Sequence, residues 1–197
     1  MAQEFSPERA DADTWANWGL VALLQGDTVK AKQRLLRALR YNADHLEAQR
    51  NLGMTYLEEG AYAQALESFK RALRVNPDDL HARYHLGVTL LKLDKAAEAR
   101  KEFNAVLAVD PDVASAHQEL AVLDHAERNL EGAFQHFSRA TQLTPDAFDA
   151  WRDLGTVLLD LRRFSEAEAA FGNCVRLQET DIGCRDGLEK ARSAAAP

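Results

Sequence analysis

The stretch LEAQRNLGMTYLEEGAYAQALESFKRALRVNPDD, residues 46–79, decides the fold of this chain. Its apolar residues recur at intervals of three and four, a spacing that is typical of amphipathic helices and not of strands. Gly60 follows the first run at the place where a left-handed helix cap is wanted, and Pro77 stops the second run. The stretch therefore predicts two helices, 46–59 and 62–75, joined by a short turn.

The same pattern returns every 34 residues, and such self-similarity at a fixed period is the signature of a repeat protein. Four kinds of residue keep the period: leucines, small residues, alanines and bulky apolar residues. The leucines are Leu52, Leu86, Leu120, Leu154 and Leu188, and the small residues are Gly19, Gly53, Gly87, Ala121 and Gly155. The alanines are Ala31, Ala65, Ala99, Ala133 and Ala167, and the bulky residues are Leu35, Phe69, Phe103, Phe137 and Phe171.

These registers resemble the tetratricopeptide repeat, whose pattern is Trp-x2-Leu-Gly-x2-Tyr followed by Ala, Phe, Ala and Pro at fixed offsets. The resemblance covers residues 12–181. It implies an all-α fold, a right-handed superhelical solenoid of five helix pairs plus a C-terminal capping helix. Three residues depart from the pattern: Asp124 replaces the large aromatic residue, Cys174 a small residue and Glu179 the closing proline.

The expected domain organisation is one array, residues 12–193, flanked by a flexible N-terminal tail at 1–11 and a disordered tail at 194–197. The small residues let the two helices of a repeat approach closely, and each pair exposes an apolar face that the next pair covers. The expected repeats are 12–45, 46–79, 80–113, 114–147 and 148–181, with the capping helix at 182–193.

Composition excludes several classes of function. The chain has 24 basic and 31 acidic side chains. A protein that binds nucleic acid needs an excess of basic side chains instead. The apolar runs are far shorter than the roughly 20 residues that span a bilayer. No nucleophile elbow, phosphate-binding loop or metal-binding helix motif occurs, so we expect neither an enzyme nor a cofactor. His81 and His85 lie four residues apart without further local ligands, which favours surface histidines over a metal site.

The resemblance implies that the first helix of each repeat lines a concave groove that binds protein. In the first three repeats the groove positions combine apolar side chains with amide and guanidinium donors, which suit an extended or helical segment of a partner. In the last two they are polar and acidic. The candidate groove residues are Asn17, Leu20, Arg50, Asn51, Met54, His81, Tyr84, His85, Val88, Gln118, Glu119, Val122, Arg152 and Asp153.

The predicted function is therefore that of a bacterial-type scaffold or adaptor that binds a protein or peptide ligand. The two-carboxylate clamp by which some family members hold chaperone tails is excluded, because the lysine and arginine positions that it requires are occupied here by other residues. The alternative function is a self-assembling structural protein that forms homo-oligomers by tail-in-groove or end-to-end stacking.

A basic run on the second helix of the first repeat leaves two interpretations open. Lys30, Arg34 and Arg37 are either a solvated face or a docking face for an acidic partner or an anionic membrane surface. Charge reversal of the two arginines distinguishes them.

The only two cysteines, Cys174 and Cys184, are expected to meet where the cap covers the fifth repeat, as this fold implies. They form a disulfide in an oxidising compartment, or remain two small buried residues in a reducing one. The chain is accordingly expected to be soluble and either cytoplasmic or periplasmic.

Overall fold

The computed structural model describes residues 10–195, and within this range the chain forms eleven α-helices and no β-strand. The expected all-α fold of five helix pairs and a capping helix is confirmed, and the helices predicted at 46–59, 62–75 and 182–193 end within two residues of those bounds. The helices are α1 (Ala12–Leu24), α2 (Thr28–Tyr41), α3 (Leu46–Glu58), α4 (Tyr62–Val75), α5 (Leu80–Lys92), α6 (Ala96–Val109), α7 (Ala114–Ala126), α8 (Leu130–Leu143), α9 (Phe148–Asp160), α10 (Phe164–Leu177) and α11 (Ile182–Ala195).

The chain divides into two compact units, Met1–Glu102 and Phe103–Pro197, here called the N-terminal and C-terminal units. The boundary between them falls inside α6. In the N-terminal unit α1 packs against α2 and α3 against α4, and each second helix also packs against the first helix of the next repeat. The C-terminal unit follows the same rule, with α7 against α8, α9 against α10, and α11 covering α10.

The turn inside each repeat requires a left-handed backbone at one register. Gly26 and Gly60 occupy it in the first two repeats with φ of 74° and 71°. Asp94, Arg128 and Arg162 occupy it in the others, with φ between 58° and 63°. Five residues, one in each repeat, therefore adopt a left-handed backbone. The two glycines, which the sequence indicates as helix caps, are the ones that do so without strain.

A close approach between the two helices of a repeat forms the centre of each pair. A Cβ atom built on Gly53 would lie 2.7 Å from the Phe69 ring, and one on Gly155 would lie 2.8 Å from the Phe171 ring. Both rings are buried almost completely. The aromatic ring therefore fills the space that the absent side chain leaves, as the paired registers predict.

A side-chain hydrogen bond recurs at every junction where one repeat follows another. In repeats two to five the fourth residue of the first helix directs a side-chain nitrogen at the carbonyl oxygen six residues earlier, at 2.6–3.0 Å. The residue type differs each time, so no sequence register reveals the bond. The pairs are Gln49–Ala43, Arg83–Pro77, His117–Pro111 and Trp151–Pro145.

The ends of the array differ from expectation. Ala10 is buried in the N-terminal core, and the Asp11 carboxylate accepts a hydrogen bond from the Thr14 N–H, so ordered structure begins before residue 12. At the other end α11 continues to Ala195, because residues beyond 193 extend its last turn. Of the tails predicted at 1–11 and 194–197, residues 1–9 and 196–197 lie outside the described residues.

The capping helix is held to α10 by a disulfide. Cys174 and Cys184 are bonded in the structure, with their Cα atoms 5.9 Å apart and both side chains fully buried. The Asp181 carboxylate caps α11 by accepting a hydrogen bond from the Cys184 N–H at 2.7 Å. Closing a loop of this length contributes about 2–3 kcal/mol in the chain-entropy account.

Two glycine substitutions are expected to have opposite effects on stability. In Gly53→Ala the new methyl group meets the buried Phe69 ring, and such overpacking costs about 1–3 kcal/mol. The higher helix propensity of alanine offsets at most about 1 kcal/mol of this cost. We therefore expect the free energy of unfolding to fall by about 1 kcal/mol. Urea denaturation followed by circular dichroism measures it.

Gly172→Ala is the matched control. Gly172 lies within α10, and no described atom stands within 4 Å of an added Cβ there. Only the propensity gain applies, so this variant is expected to be about 0.5–1 kcal/mol more stable than the parent. Equal effects of the two substitutions would contradict the close-approach interpretation.

Candidate protein-binding surfaces

The first helices of the N-terminal unit form one continuous surface. Helix α3 lies between α1 and α5 and contacts both, so the outward residues of all three helices are neighbours. We call this set the N-terminal surface. It contains Asn17, Leu20, Val21, Leu24, Arg50, Met54, His81, Tyr84, His85 and Val88.

The N-terminal surface exposes two large apolar side chains beside the polar Asn17 and His81. Leu24, the last residue of α1, is 79% exposed, and Val21 in the same helix is 48% exposed. Leu20, Met54 and Val88 are half-buried beside them. Within the described residues, no helix packs over Val21 and Leu24, so these side chains face solvent.

Arg50, one of the predicted polar residues, has a structural partner. Arg50 Nη1 donates to Asp79 Oδ2 at 2.8 Å, and the other Asp79 oxygen caps α5 by accepting from the Ala82 N–H at 2.9 Å. Asp79 is buried, so Arg50 neutralises a carboxylate that the fold requires. Arg50 is thus a structural residue first and a ligand donor second.

Asn51 does not belong to the surface, which corrects the sequence interpretation. It is only 5% exposed, because α3 is flanked by helices on both sides and this register faces inward there. The equivalent residue of the first repeat, Asn17, is exposed, because among the described residues α1 is covered by helices on one side only. Asparagine at the same register is therefore exposed in the first repeat and buried in the second.

His85 sits against aromatic rings. Its imidazole stacks on Phe69 with ring centroids 5.8 Å apart and meets Tyr84 edge-on at 5.2 Å. Burial lowers the pKa of His85, and the neighbouring His81 and Arg50 lower this pKa further. His85 is therefore neutral at pH 7 and contributes a flat, uncharged ring to the surface, whereas His81 is exposed.

The C-terminal unit presents a different chemistry on its own first helices, α7 and α9. A shallow depression of about 180 Å³ lies between them and is lined by Val122, His125, Phe137, Asp153 and Thr156. Val122 is 49% exposed and is the main apolar side chain at its mouth. The outward residues of α7 and α9 form a set that we call the C-terminal surface. It contains Gln118, Glu119, Val122, His125, Arg152, Asp153 and Asp160.

Carboxylates dominate the C-terminal surface. Asp160 Oδ2 lies 2.7 Å from His125 Nε2, while Arg152 is shared between Asp149 at 2.8 Å and Asp153 at 3.3 Å. Burial raises the pKa of Asp153 despite this arginine. Arg152, predicted as a ligand donor, is thus paired with neighbouring aspartates.

The basic run on α2 is engaged within the N-terminal unit. Lys30 pairs with Asp27 at 2.7 Å, Arg34 donates to the Trp18 carbonyl oxygen at 3.0 Å, and the Arg37 guanidinium lies 4.3 Å from the Trp15 ring centre. Each of the three candidate docking residues therefore has an intramolecular role that accounts for its presence.

Comparison with known families decides the classification. A family model described as tetratricopeptide repeat matches residues 17–79 and 126–173, more than half of the chain, and a second matches 56–122. The chain belongs to the tetratricopeptide repeat (TPR) family. Members of this family are in general non-enzymatic scaffolds for protein–protein interaction. A search of curated protein sequences finds no match to this TPR protein.

Solved structures share the fold of this TPR protein at low sequence identity. MamA residues 41 to the end from Desulfovibrio magneticus RS-1 is 23% identical, covers 87% of this chain and 97% of its own, and has a TM-score of 0.75. PilF of Pseudomonas aeruginosa is 16% identical, with coverage of 91% and 88% and a TM-score of 0.80. YrrB, described as a TPR protein with an unusual peptide-binding site, is 19% identical, with coverage of 91% and 92% and a TM-score of 0.72.

Among the described residues of this TPR protein, no helix combines the length and the apolar character that a bilayer span needs.

The pKa of His85 provides a direct test of its packing. Since burial disfavours the imidazolium, the folded pKa lies below the ordinary 6.5, and the unfolded chain takes up this proton first as pH falls. The stability associated with neutral His85 is present above pH 6.5 and is lost as pH falls below it. NMR titration of the imidazole is expected to give a midpoint below 6.5, and a midpoint at or above 6.5 would contradict the stacking on Phe69.

Proposed function

We propose that this TPR protein is a scaffold whose N-terminal surface binds an extended or helical segment of a partner protein through apolar anchor residues. The proposal depends on one observation, the exposure of Leu24 and Val21 beside half-buried Leu20, Met54 and Val88. Clustered apolar side chains at a soluble protein's surface mark interaction sites more often than single ones do.

The polar groups around these anchors suit orientation of the bound segment. Tyr84 is half-buried and amphipathic, and neutral His85 supplies a ring nitrogen without a charge. Asn17 is exposed at the edge and offers an amide. A few polar groups beside apolar pockets are the common composition of peptide sites, and YrrB shows that a TPR fold of this kind carries one.

A free C-terminal carboxylate is not the proposed ligand. The carboxylate clamp requires several cations that converge on one site, whereas the candidate cation Arg50 is committed to Asp79 and His85 is neutral. Arg50 is the one residue of the N-terminal surface with a permanent positive charge, so the set of cations that the clamp requires is missing.

The C-terminal surface favours a different ligand character. Its aspartates exceed its cations, and Arg152 is already shared between two of them. A basic segment would find complementary charge there, and the interaction would weaken as salt rises because the groups are partly exposed. The two surfaces would then bind ligands of different composition.

Peptide selection tests the proposal. A random peptide library displayed on phage is selected against the intact protein, and binding of the enriched peptides is measured by fluorescence anisotropy. We expect peptides with two or more large apolar residues. We also expect Leu24→Lys to weaken binding at least tenfold, because it places a charge at an apolar contact. The side chain is 79% exposed, so the melting temperature should stay unchanged.

Ile182→Lys is the matched control, since Ile182 is also an exposed aliphatic residue at 66% but lies on α11. Its affinity for the same peptides should equal that of the parent protein. The proposal fails if Leu24→Lys binds as well as the parent, or if both variants lose affinity equally.

Self-association through the same apolar residues is the second candidate. Helix α1 leaves Val21 and Leu24 uncovered, while the outward residues of α11 include the charged Arg185, Asp186 and Glu189. Two N-terminal ends therefore match each other better than opposite ends do. Light scattering across a hundredfold concentration range separates the candidates: a dimer that Leu24→Lys dissociates supports self-association, and a monomer throughout excludes it.

A further inference from the structure

A gap separates the second helices of the first two repeats, and the first helix between them forms its floor. In the N-terminal unit α3 packs against both α2 and α4 and provides this floor. Gln49 and Ser68, the fourth and twenty-third residues of the second repeat, both line the gap. The size of the side chains at these two registers therefore decides whether such a gap is filled or open.

Large side chains occupy these two registers in the later repeats. In the third repeat Arg83 Nη1 donates a hydrogen bond to Glu102 Oε2 at 3.1 Å. In the fourth repeat an N–H···N hydrogen bond of 2.9 Å joins the Nδ1 atoms of His117 and His136. In the fifth repeat the fourth register holds the bulky Trp151. Each of these repeats thus places at least one large side chain at the two registers.

The second repeat leaves the gap open. Gln49 turns its amide nitrogen to the Ala43 carbonyl oxygen at 3.0 Å, and Ser68 has only a short side chain. A cavity of about 440 Å³ results, which is within the usual size range of ligand pockets. We call this cavity the α2–α4 groove. The residues that characterise it are Leu36, Arg40, Leu52, Tyr56, Ser68 and Arg71.

The floor and one wall of the α2–α4 groove are apolar. Leu52 and Tyr56 of α3 lie at the floor, and Leu36 and Leu39 of α2 form the wall. Leu36 is 40% exposed, so this wall is open to a ligand. Removal of these apolar surfaces from water would favour the binding of a large apolar side chain.

Two polar groups of the groove are not used by the fold. Ser68 is only 5% exposed, yet no described residue makes a hydrogen bond with its hydroxyl group. The Arg40 guanidinium is exposed on the α2 wall and has no hydrogen bond or ion pair within residues 10–195. A buried hydroxyl group and a cation are therefore both available to a ligand in this groove.

The rim of the groove is positively charged. Arg71 donates to Glu67 Oε1 at 2.9 Å, and Arg74 reaches the same oxygen at 3.5 Å, so two arginines share one carboxylate. With Arg40, three cations stand against one anion among the lining residues and their ion-pair partners. This excess occurs in a chain whose net charge is −7, and it favours an acidic ligand.

The groove lies on a different side of α3 from the N-terminal surface. At 3.6 residues per turn, Gln49, Leu52 and Tyr56 fall within about 60° around the helix axis. Arg50 and Met54, which belong to the N-terminal surface, are about 100° or more away from each of them. The two sites therefore share no residue of α3, and a ligand in one does not occupy the other.

We propose that the α2–α4 groove binds an acidic segment of a partner protein. A large apolar side chain of the segment packs on Leu36, Leu52 and Tyr56, and a carboxylate next to it pairs with Arg40. The Ser68 hydroxyl group supplies a hydrogen bond at the bottom of the groove. This site is separate from the N-terminal surface, so the inference does not depend on the proposed function.

A variant that closes the groove can be copied from the third repeat. Gln49→Arg with Ser68→Glu reproduces the pair of Arg83 and Glu102, which includes an arginine that also keeps the junction hydrogen bond. The substitutions add one positive and one negative side chain, so the net charge of the protein is unchanged. Circular dichroism and thermal melting establish that the variant folds. Arg40→Glu is the second variant, and it alters an exposed residue without closing the groove.

Fluorescence anisotropy with synthetic peptides tests the proposal. Labelled peptides of about twelve residues carry one leucine, phenylalanine or tryptophan and either several glutamates or none. We expect the intact protein to bind the peptides that combine an apolar residue with glutamates, and to bind them less tightly as salt rises. We expect both the closing variant and Arg40→Glu to bind at least tenfold more weakly.

Two variants serve as controls. Lys70→Glu reverses an exposed cation of α4 that does not line the groove, and Leu24→Lys alters the N-terminal surface. Both should keep the affinity of the parent protein for the acidic peptides. Loss of affinity in Lys70→Glu equal to that in Arg40→Glu would show attraction to the whole basic face and would contradict the proposal.

Three further results would overturn it. One is that no acidic peptide binds the intact protein at about 100 μM, and another is that the closing variant binds as tightly as the parent. The third is a dimer in light scattering that the closing variant dissociates, since a second copy then covers the groove. If Leu24→Lys abolishes the binding of acidic peptides and the closing variant does not, the peptides occupy the N-terminal surface. That result would support the proposed function and exclude this inference.

Discussion

The close contact between a glycine on one helix and a ring on the next is the constraint on which the structure depends. At Gly53 and Gly155 there is no room for a methyl group against Phe69 and Phe171. Because the two helices approach so closely, the ring is buried and the outward residues of the first helix stay exposed. The surfaces proposed for binding follow from this geometry.

A rigid framework leaves other registers free to diverge. The junction hydrogen bond is kept by glutamine, arginine, histidine and tryptophan in turn, since any side-chain N–H satisfies the carbonyl oxygen. Residue type at that position is therefore free to vary between repeats while the hydrogen bond is kept. The apolar N-terminal surface and the acidic C-terminal surface reflect the same tolerance at the outward registers.

The sequence predicted the framework closely because each of its registers is local and periodic. Helix bounds, the paired small and bulky residues, and the proximity of Cys174 and Cys184 all follow from positions counted within a repeat. The left-handed turns at Arg128 and Arg162 were not predictable from residue type in the same way, since arginine is not among the residues enriched at positive φ.

The sequence predicted the candidate site less well, because side-chain partners lie about 30 residues away and have no period. Nothing in the residue order shows that Arg50 pairs with Asp79, or that flanking helices bury Asn51. The engagement of Arg37 by Trp15 is equally invisible in the linear charge pattern. The structure therefore shortened the list of binding residues and shifted its weight toward the exposed apolar side chains.

Methyl NMR with a selected peptide tests the central claim most directly, since it reports contact without altering the protein. On saturation with an apolar peptide, the account predicts the largest shift changes at the methyl groups of Leu20, Leu24 and Val88, and none at Ile182. Shift changes confined to Val122 and its neighbours in the C-terminal unit would contradict it.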